Sequence, residues 1–583
     1  MPWNTRAAVL VAGIFLLQLL QSIDGAQPLR MDTPNAEGIY EYEWVVDWHT
    51  AMTVYNELNL GQLAHYDADG QQWFVRNGNQ LVDCDIVYAA NRSAFGPKFL
   101  QLDGRHTRLF TVNQKSPGPT LVVPYGAEML VRVHNKLVTE GVTVHFHGLD
   151  NIWHSDGVAL VQQCPIAAES TFTYRFIADE WGTMFYHGHA GVDRTDGLAG
   201  ALVVVPPDAS VELIGGSRVV PDLEFVLLMQ DWHELSQKET WLNLRELIMK
   251  FCYGRERFDK CWRWAKTYDA TNIGGSGPLS AILLNDVGWY DQQDIVHRPW
   301  AVPMETFKVR AGQNVLLRNI HAGSAYQLML SIEDHQFQVV AADGPAVKPV
   351  LSDMVIIFPG ERYDILIQTK ENPEHKRYYI MVETLELYDQ GYVRVRPQYG
   401  AAVLEYDVAT PATDAPTRIP DWSHSHCTEE KRCVVVNCNW PSFPPEFNYD
   451  CVTADQLRAN EPIEDEELLA TEFPNGNFQE FFLNTHFDSF MNGWRFVPPK
   501  APLYFHSENE LAVAKPCDRS LCAMDGNRRD PGCQCFFHLN ITLGNIVQIN
   551  LYNMGDGSRL AHGYHHPFHI HGQHYHVMKA GFV

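Results

Sequence analysis

Three histidine clusters stand out: His145-Phe146-His147-Gly148, His187-Gly188-His189 and His566-Pro567-Phe568-His569-Ile570-His571-Gly572. In an extended strand residues i and i+2 face the same side, roughly 7 Å apart, so each His-x-His presents two imidazoles to one site. Imidazole suits copper, zinc or iron. One such pair is ambiguous, because zinc hydrolases also use it and many buried histidines are purely structural. Two pairs early in the chain and a third at its far end predict one shared metal site, assembled at an interface between folded units.

The elements that must position these pairs read as strands. Val, Leu and Ile alternate with polar residues between Gly, Pro and Asn, and helical periodicity is scarce outside Trp241 to Met249. One pattern recurs: VVPYGAEMLVRVHN around Gly126, FKVRAGQNVLLRNIH around Gly312 and ITLGNIVQINLYN around Gly544. Each is a strand, a glycine and an alternating strand, which predicts three copies of one β unit. Counted from its glycine, the first copy closes at Val205 (205 − 126 = 79) and the second at Glu405 (405 − 312 = 93), while the third has 583 − 544 = 39 residues. The third unit is therefore expected to be incomplete, by roughly 40 to 55 residues on the chain's own repeat. The expected boundaries are a signal peptide at 1–25, an N-terminal extension at 26–95, a first unit at 96–210 and a second at 218–408. A linker with a Cys-rich acidic insertion follows at 409–470, and the partial third unit occupies 471–583.

Composition sets the compartment and excludes some partners. Apolar residues make up 45% and aromatic residues 12%, enough to bury cores and to exclude wholesale disorder. Lys plus Arg number 44 against 70 Asp plus Glu, and 44 − 70 = −26 repels phosphate backbones, so nucleic acid is excluded as a partner. Arg6, the apolar run Ala7 to Leu20 and the Ile23/Gly25 pair read as a secretory signal. No segment is apolar for long enough to span a bilayer, so a secreted, extracellular protein is expected. Its 12 cysteines then form up to six disulfides, a better reading than zinc because Cys533-x-Cys535 and Cys517-x4-Cys522 lack matching histidines. Asn91-Arg92-Ser93 and Asn540-Ile541-Thr542 are N-glycosylation acceptors.

Longer motifs carry a family resemblance. HFHGL, SDGVALVQQCPI, GTMFYHGHAGVDRTDGLAGALVV and HPFHIHG, with SPGPTLVVPYG (Ser116 to Gly126) and PGERYDI (Pro359 to Ile365), resemble the motifs of laccase-like multicopper oxidases, especially the secreted animal branch. The resemblance extends from about Phe99 to Val583. It implies an all-β fold of three cupredoxin-like Greek-key sandwiches, the third incomplete. The implied activity is oxidation of phenols or aromatic amines coupled to reduction of dioxygen to water. Carried over by position, His145 and His569 match type 2 copper ligands, and His147, His187, His189 and His571 match four of the six ligands of the type 3 pair. His566 matches an imidazole of the type 1 copper, and Asp156 an acid that helps supply protons to reduced oxygen. The family closes its third domain with His-Cys-His, a further His and an axial Met or Leu. None of these is present, so the type 1 site is incomplete, C-terminal truncation is expected, and an inactive chain with it. A ferroxidase and a non-catalytic copper-binding cupredoxin protein are the alternatives.

Other conspicuous residues have plainer readings. Apart from the resemblance, Asp156 is a turn aspartate in an Asp-Gly pair. Cys164 is expected to pair, most plausibly with Cys84. Alternation from His571 turns Tyr575 and Val577 inward and His574 and His576 toward solvent. His562 and His565 read as loop residues, and His233 and His335 as structural. The 24 Tyr and 15 Trp mostly fill β cores.

Overall fold

The computed structural model describes residues 25–55, 61–77, 85–89, 92–150, 155–234, 264–267, 272–274, 279–298, 300–387, 398–407, 426–438, 445–460, 476–486, 490–505, 534–553 and 567–581, with isolated positions between them. His566, Cys84, Asn91, the signal segment 1–24, the expected helix at 241–249 and the histidines at 562 and 565 lie outside the described residues. The described chain is almost entirely β. No helix among these residues is long and apolar enough to cross a membrane.

The first unit is two four-stranded sheets face to face. One sheet runs, in spatial order, Thr171–Ile177, Glu128–Asn135, Tyr40–Thr50 and Arg108–Val112; the other runs Leu121–Pro124, Ala199–Val205, Gly182–Gly188 and Val144–His147. Period-2 patterning builds the core: Met129, Val131 and Val133 point inward from alternate positions and meet Trp44, Phe146, Tyr174 and Tyr186. The strand Tyr40–Thr50 lies within the 26–95 extension of the sequence reading, yet it occupies an interior place in this sheet.

The glycine-strand repeat has one structural meaning in all three units. Glu128–Asn135 pairs parallel with Tyr40 to Val46, Asn314–His321 with Leu223 to Met229, and Ile546–Tyr552 with Phe478 to Asn484. Gly126, Gly312 and Gly544 precede these strands with φ of 80°, 72° and 86°, the left-handed region that side chains disfavour. The repeated glycine therefore marks the turn that feeds a parallel-paired strand, interior in the first two sheets and at the edge in the third.

The second unit packs a six-stranded sheet on a seven-stranded one around Phe225, Phe307, Leu317, Phe337, Ile365 and Tyr378. Its seven-stranded sheet is extended by Cys433–Cys438 and Tyr449–Thr453, tied by the disulfides Cys427–Cys433 and Cys438–Cys451. The third unit contributes one five-stranded sheet with a Cys517–Cys535 disulfide. Cys164 differs from the expectation: it carries an exposed free thiol. Tyr575 and Val577 also differ, being 51% and 47% exposed. Residues 567–581 form no strand, so alternation has no sheet to act on.

Candidate metal centre

The strand Val144–His147 pairs antiparallel with Gly182–Gly188, setting His145 opposite His187 and His147 opposite Phe185. Phe146 and Tyr186 point into the sandwich core, so the intervening histidines are driven to the opposite face. There His145, His147 and His187 are all buried, within 6% of full enclosure. The backbone N–H of His189 donates to Thr143 O at 3.1 Å, holding the second pair beside the first.

Residues 567–581 of the third unit bring His569 and His571 onto this face. The His147 and His569 rings stack at 4.0 Å between centroids, His145 and His571 lie at 4.2 Å, and His189 and His571 at 5.0 Å. Six of the seven candidate histidines thus form one cluster, and the seventh, His566, lies outside the described residues. His145, His147 and His187 each offer a nitrogen within 4.8 Å of the others, as do His145, His569 and His571.

Asp156 joins the two ends of the chain. Its Oδ2 accepts from His571 Nδ1 at 3.0 Å and from Gln162 Nε2 at 3.1 Å, while Oδ1 lies 2.8 Å from His145 Nδ1. His145 Nδ1 donates to the Asp156 carbonyl at 2.8 Å, and the carboxylate Oδ1 lies at ion-pair distance from the same nitrogen. Gly157 makes this approach possible: its φ is +82°, and a Cβ there would fall 1.9 Å from Val144 O. Gly572 has φ +67°, and His574 Nδ1 donates to Asp150 at 2.9 Å, anchoring the tail beyond the cluster.

Burial and neighbouring charges favour the neutral imidazole at His145, His147, His187, His189 and His569. Burial drives His147 and His187 well below the ordinary histidine range, reinforced by neighbouring rings and by Arg362 and Arg194 respectively. Burial and the neighbouring His145 and His571 push His189 to about 3. Burial of its ring among its neighbours and the nearby His571 and His145 hold His569 at about 2. Burial alone works to raise the Asp156 carboxyl, yet its bonds to His145 and His571 outweigh that and hold it far below the usual carboxylate range. The site therefore sets an ionised acceptor beside buried imidazoles biased to the uncharged form, the form that binds metal.

The donor set fits a metal ion on a second ground. His145 Nε2, His147 Nδ1 and His187 Nε2 are buried with no hydrogen-bond partner among the described residues. Leaving a buried polar nitrogen unsatisfied costs about 1–3 kcal/mol, so three facing one another favour a shared Lewis acid. Imidazole nitrogens of this kind suit copper or zinc.

Two contributors were not among the predicted site residues. Arg362 reaches in from the second unit, donating to Thr183 O at 3.0 Å and Gly360 O at 3.1 Å, and its charge helps keep His147 and His569 unprotonated. It belongs to the PGERYDI motif, which was the available clue. Asp150 follows His147-Gly148-Leu149, but its partner His574 lies more than 400 residues away, a pairing visible only in three dimensions. His335 and His233 lie away from the cluster; His335 is buried between Glu333 O at 2.6 Å and the Tyr406 hydroxyl at 2.7 Å.

Comparison with known proteins identifies the family to which the chain is similar. Two family models, both described as multicopper oxidase, match residues 97–209 and 224–409. An L-ascorbate oxidase of Brassica rapa subsp. pekinensis is 27% identical over 83% of this chain and 79% of its own length. Laccase-20 of Oryza sativa subsp. indica is 30% identical over 47% of this chain and 42% of its own. Against four further plant ascorbate oxidases the chain spans about half of their length, between 42% and 56%. The crystal structure of Fet3p, a multicopper oxidase that functions in iron import, superposes with a TM-score of 0.49 and 18% identity over 80% of this chain and 65% of that one.

Proposed function

This chain belongs to the multicopper oxidase family, and from that premise we propose that it is a laccase-like oxidase, taking electrons from phenols or aromatic amines and passing them to dioxygen. The observation that carries the reading is the meeting of imidazoles from residues 145–189 with those of 569–571 at ring-contact distances of 4.0–5.0 Å. On this reading His145 and His569 hold a type 2 copper, while His147, His187, His189 and His571 hold the type 3 pair. His566 supplies an imidazole to the type 1 site. Copper so held supplies one-electron steps and their collection for the reduction of oxygen.

The protein's own groups set the stage for that chemistry. The Asp156 carboxylate only accepts, so it keeps protons on the Nδ1 atoms of His145 and His571 and turns their Nε2 lone pairs toward the ligand. Burial, with the neighbouring His569 and Arg362, disfavours protonation of His147. The 583 residues contain no His-Cys-His. A polypeptide of these residues alone is therefore expected to load the histidine cluster without intense blue thiolate absorption and without turning over a phenolic dye. Ascorbate is the second candidate reductant, because relatives of this chain bear the name L-ascorbate oxidase. Secretion after loss of residues 1–25 completes the reading.

Oxygen uptake by the protein purified from its natural source tests the function, with a phenolic dye, ascorbate and ferrous ion compared in parallel. Fastest uptake with the phenol supports the reading. Uptake with ferrous ion alone contradicts it.

A further inference from the structure

A cavity separate from the histidine cluster lies where the N-terminal segment crosses from the second unit to the first. Ala26 N–H donates to Thr306 O at 2.7 Å and Leu29 N–H to Glu224 O at 2.8 Å, both in the second unit. Asp32 N–H then donates to Val122 O at 2.8 Å, and Asp32 Oδ2 accepts from Val122 N–H at 2.9 Å, both in the first. This segment lines a cavity of about 360 Å³, together with Ala201 of the first unit and Val226 and Leu228 of the second. Its size falls in the range of small-molecule sites, and seams between folded units are where such sites concentrate.

The charge at this cavity runs against the rest of the chain. Arg30 and Lys115 line it and no Asp or Glu does, in a protein with 70 acidic residues against 44 basic ones. Neither side chain has an ion-pair partner among the described residues. Asn285, by contrast, is spent within the fold: it donates to Val226 O and accepts from Leu228 N–H at 3.0 and 2.8 Å. What the cavity offers a ligand is therefore two cations, with Gln27 and Thr120, and an aliphatic lining.

We propose that this seam cavity binds a small aromatic carboxylate, its carboxyl group paired with Arg30 and Lys115 and its ring laid on Ala201, Val226 and Leu228. A planar guanidinium matches a carboxylate in two parallel hydrogen bonds, and a lysine ammonium adds a point charge. The ring accounts for the aliphatic lining, which a bare inorganic anion leaves unused. The site is independent of copper, so it stands or falls apart from the oxidase reading.

Calorimetric titration of the full chain with benzoate, benzamide and inorganic phosphate tests this. Benzoate is expected to bind one per chain, at least tenfold tighter than the uncharged benzamide and than phosphate. R30Q and K115Q each weaken benzoate at least fivefold, with the thermal midpoint and bound copper unchanged. Equal binding of benzoate and benzamide overturns the role of the two cations, and phosphate binding as tight as benzoate overturns the role of the aliphatic lining. No benzoate heat at millimolar ligand, or benzoate binding unaltered in the R30Q/K115Q double variant, removes the site altogether.

Discussion

Replacing Asp156 by Asn separates a positioning carboxylate from an incidental one. Asp156 now meets two rings, at 2.8 Å from His145 Nδ1 and 3.0 Å from His571 Nδ1, and also accepts from Gln162 Nε2 at 3.1 Å. A carboxylate can face all three donors. An amide has one oxygen and one NH2, so whichever way it turns a donor meets a donor. With its oxygen toward His571 and Gln162, the NH2 opposes His145 Nδ1–H; reversed, it opposes His571 and Gln162. The ring facing the NH2 is pressed to carry its proton on Nε2, where it no longer ligates. Loss of an outer partner of this kind typically weakens metal binding about 10- to 100-fold, which at 1.4 kcal/mol per tenfold is about 1.4–2.8 kcal/mol. Copper competition against a chelator of known affinity measures it, with thermal unfolding of the copper-free protein as the control. Copper affinity within twofold of the parent, in a variant that still folds, would refute the claim that Asp156 fixes the two rings.

Three further outcomes follow from other contacts. Gly157→Ala places a Cβ 1.9 Å from Val144 O, so it should cost several kcal/mol and strip copper as the Asp156 turn is displaced; urea unfolding and metal analysis check it. Arg318 is buried and bonds Asp364 at 2.8 Å, Glu224 at 2.7 Å and Thr183 at 3.0 Å across the first and second units. Arg318→Met leaves Asp364 buried and unpaired and should destabilise by about 3–5 kcal/mol, partly recovered by adding Asp364→Asn, read from denaturant midpoints. His335 and His321 are both held at about 4 by burial, against 6.5 when unfolded. The unfolded chain therefore takes up protons first as pH falls, so each histidine's contribution is complete above 6.5 and is lost between 6.5 and 4, up to about 3 kcal/mol apiece. His335→Gln should flatten the fall in urea midpoint between pH 7 and pH 5, and an unchanged slope would contradict the assignment.

Local patterning made part of this structure legible. His-x-His at strand spacing is a one-face signal, and the strand pairing places His145 and His187 side by side. The glycines at 126, 312 and 544 were readable because each occupies a conformation that other residues resist, followed by an alternating strand. Features resting on distant partners were not readable. Tyr40–Thr50 reads as an ordinary alternating segment, and nothing local says it pairs with residues near 130. Tyr575 and Val577 were misplaced because period-2 reasoning presumes a sheet, and residues 567–581 are held by His571–Asp156 and His574–Asp150 bonds instead. Arg362 acts from the second unit, which holds none of the candidate histidines, so its effect on His147 follows only from how the units pack.

The most direct test of the central claim is anomalous diffraction at the copper absorption edge from crystals grown with copper. The account predicts strong peaks enclosed by the rings of His145, His147, His187, His189, His569 and His571, and their loss in His145→Ala. Copper located elsewhere on the protein, or no ordered copper between these rings at full loading, would contradict it.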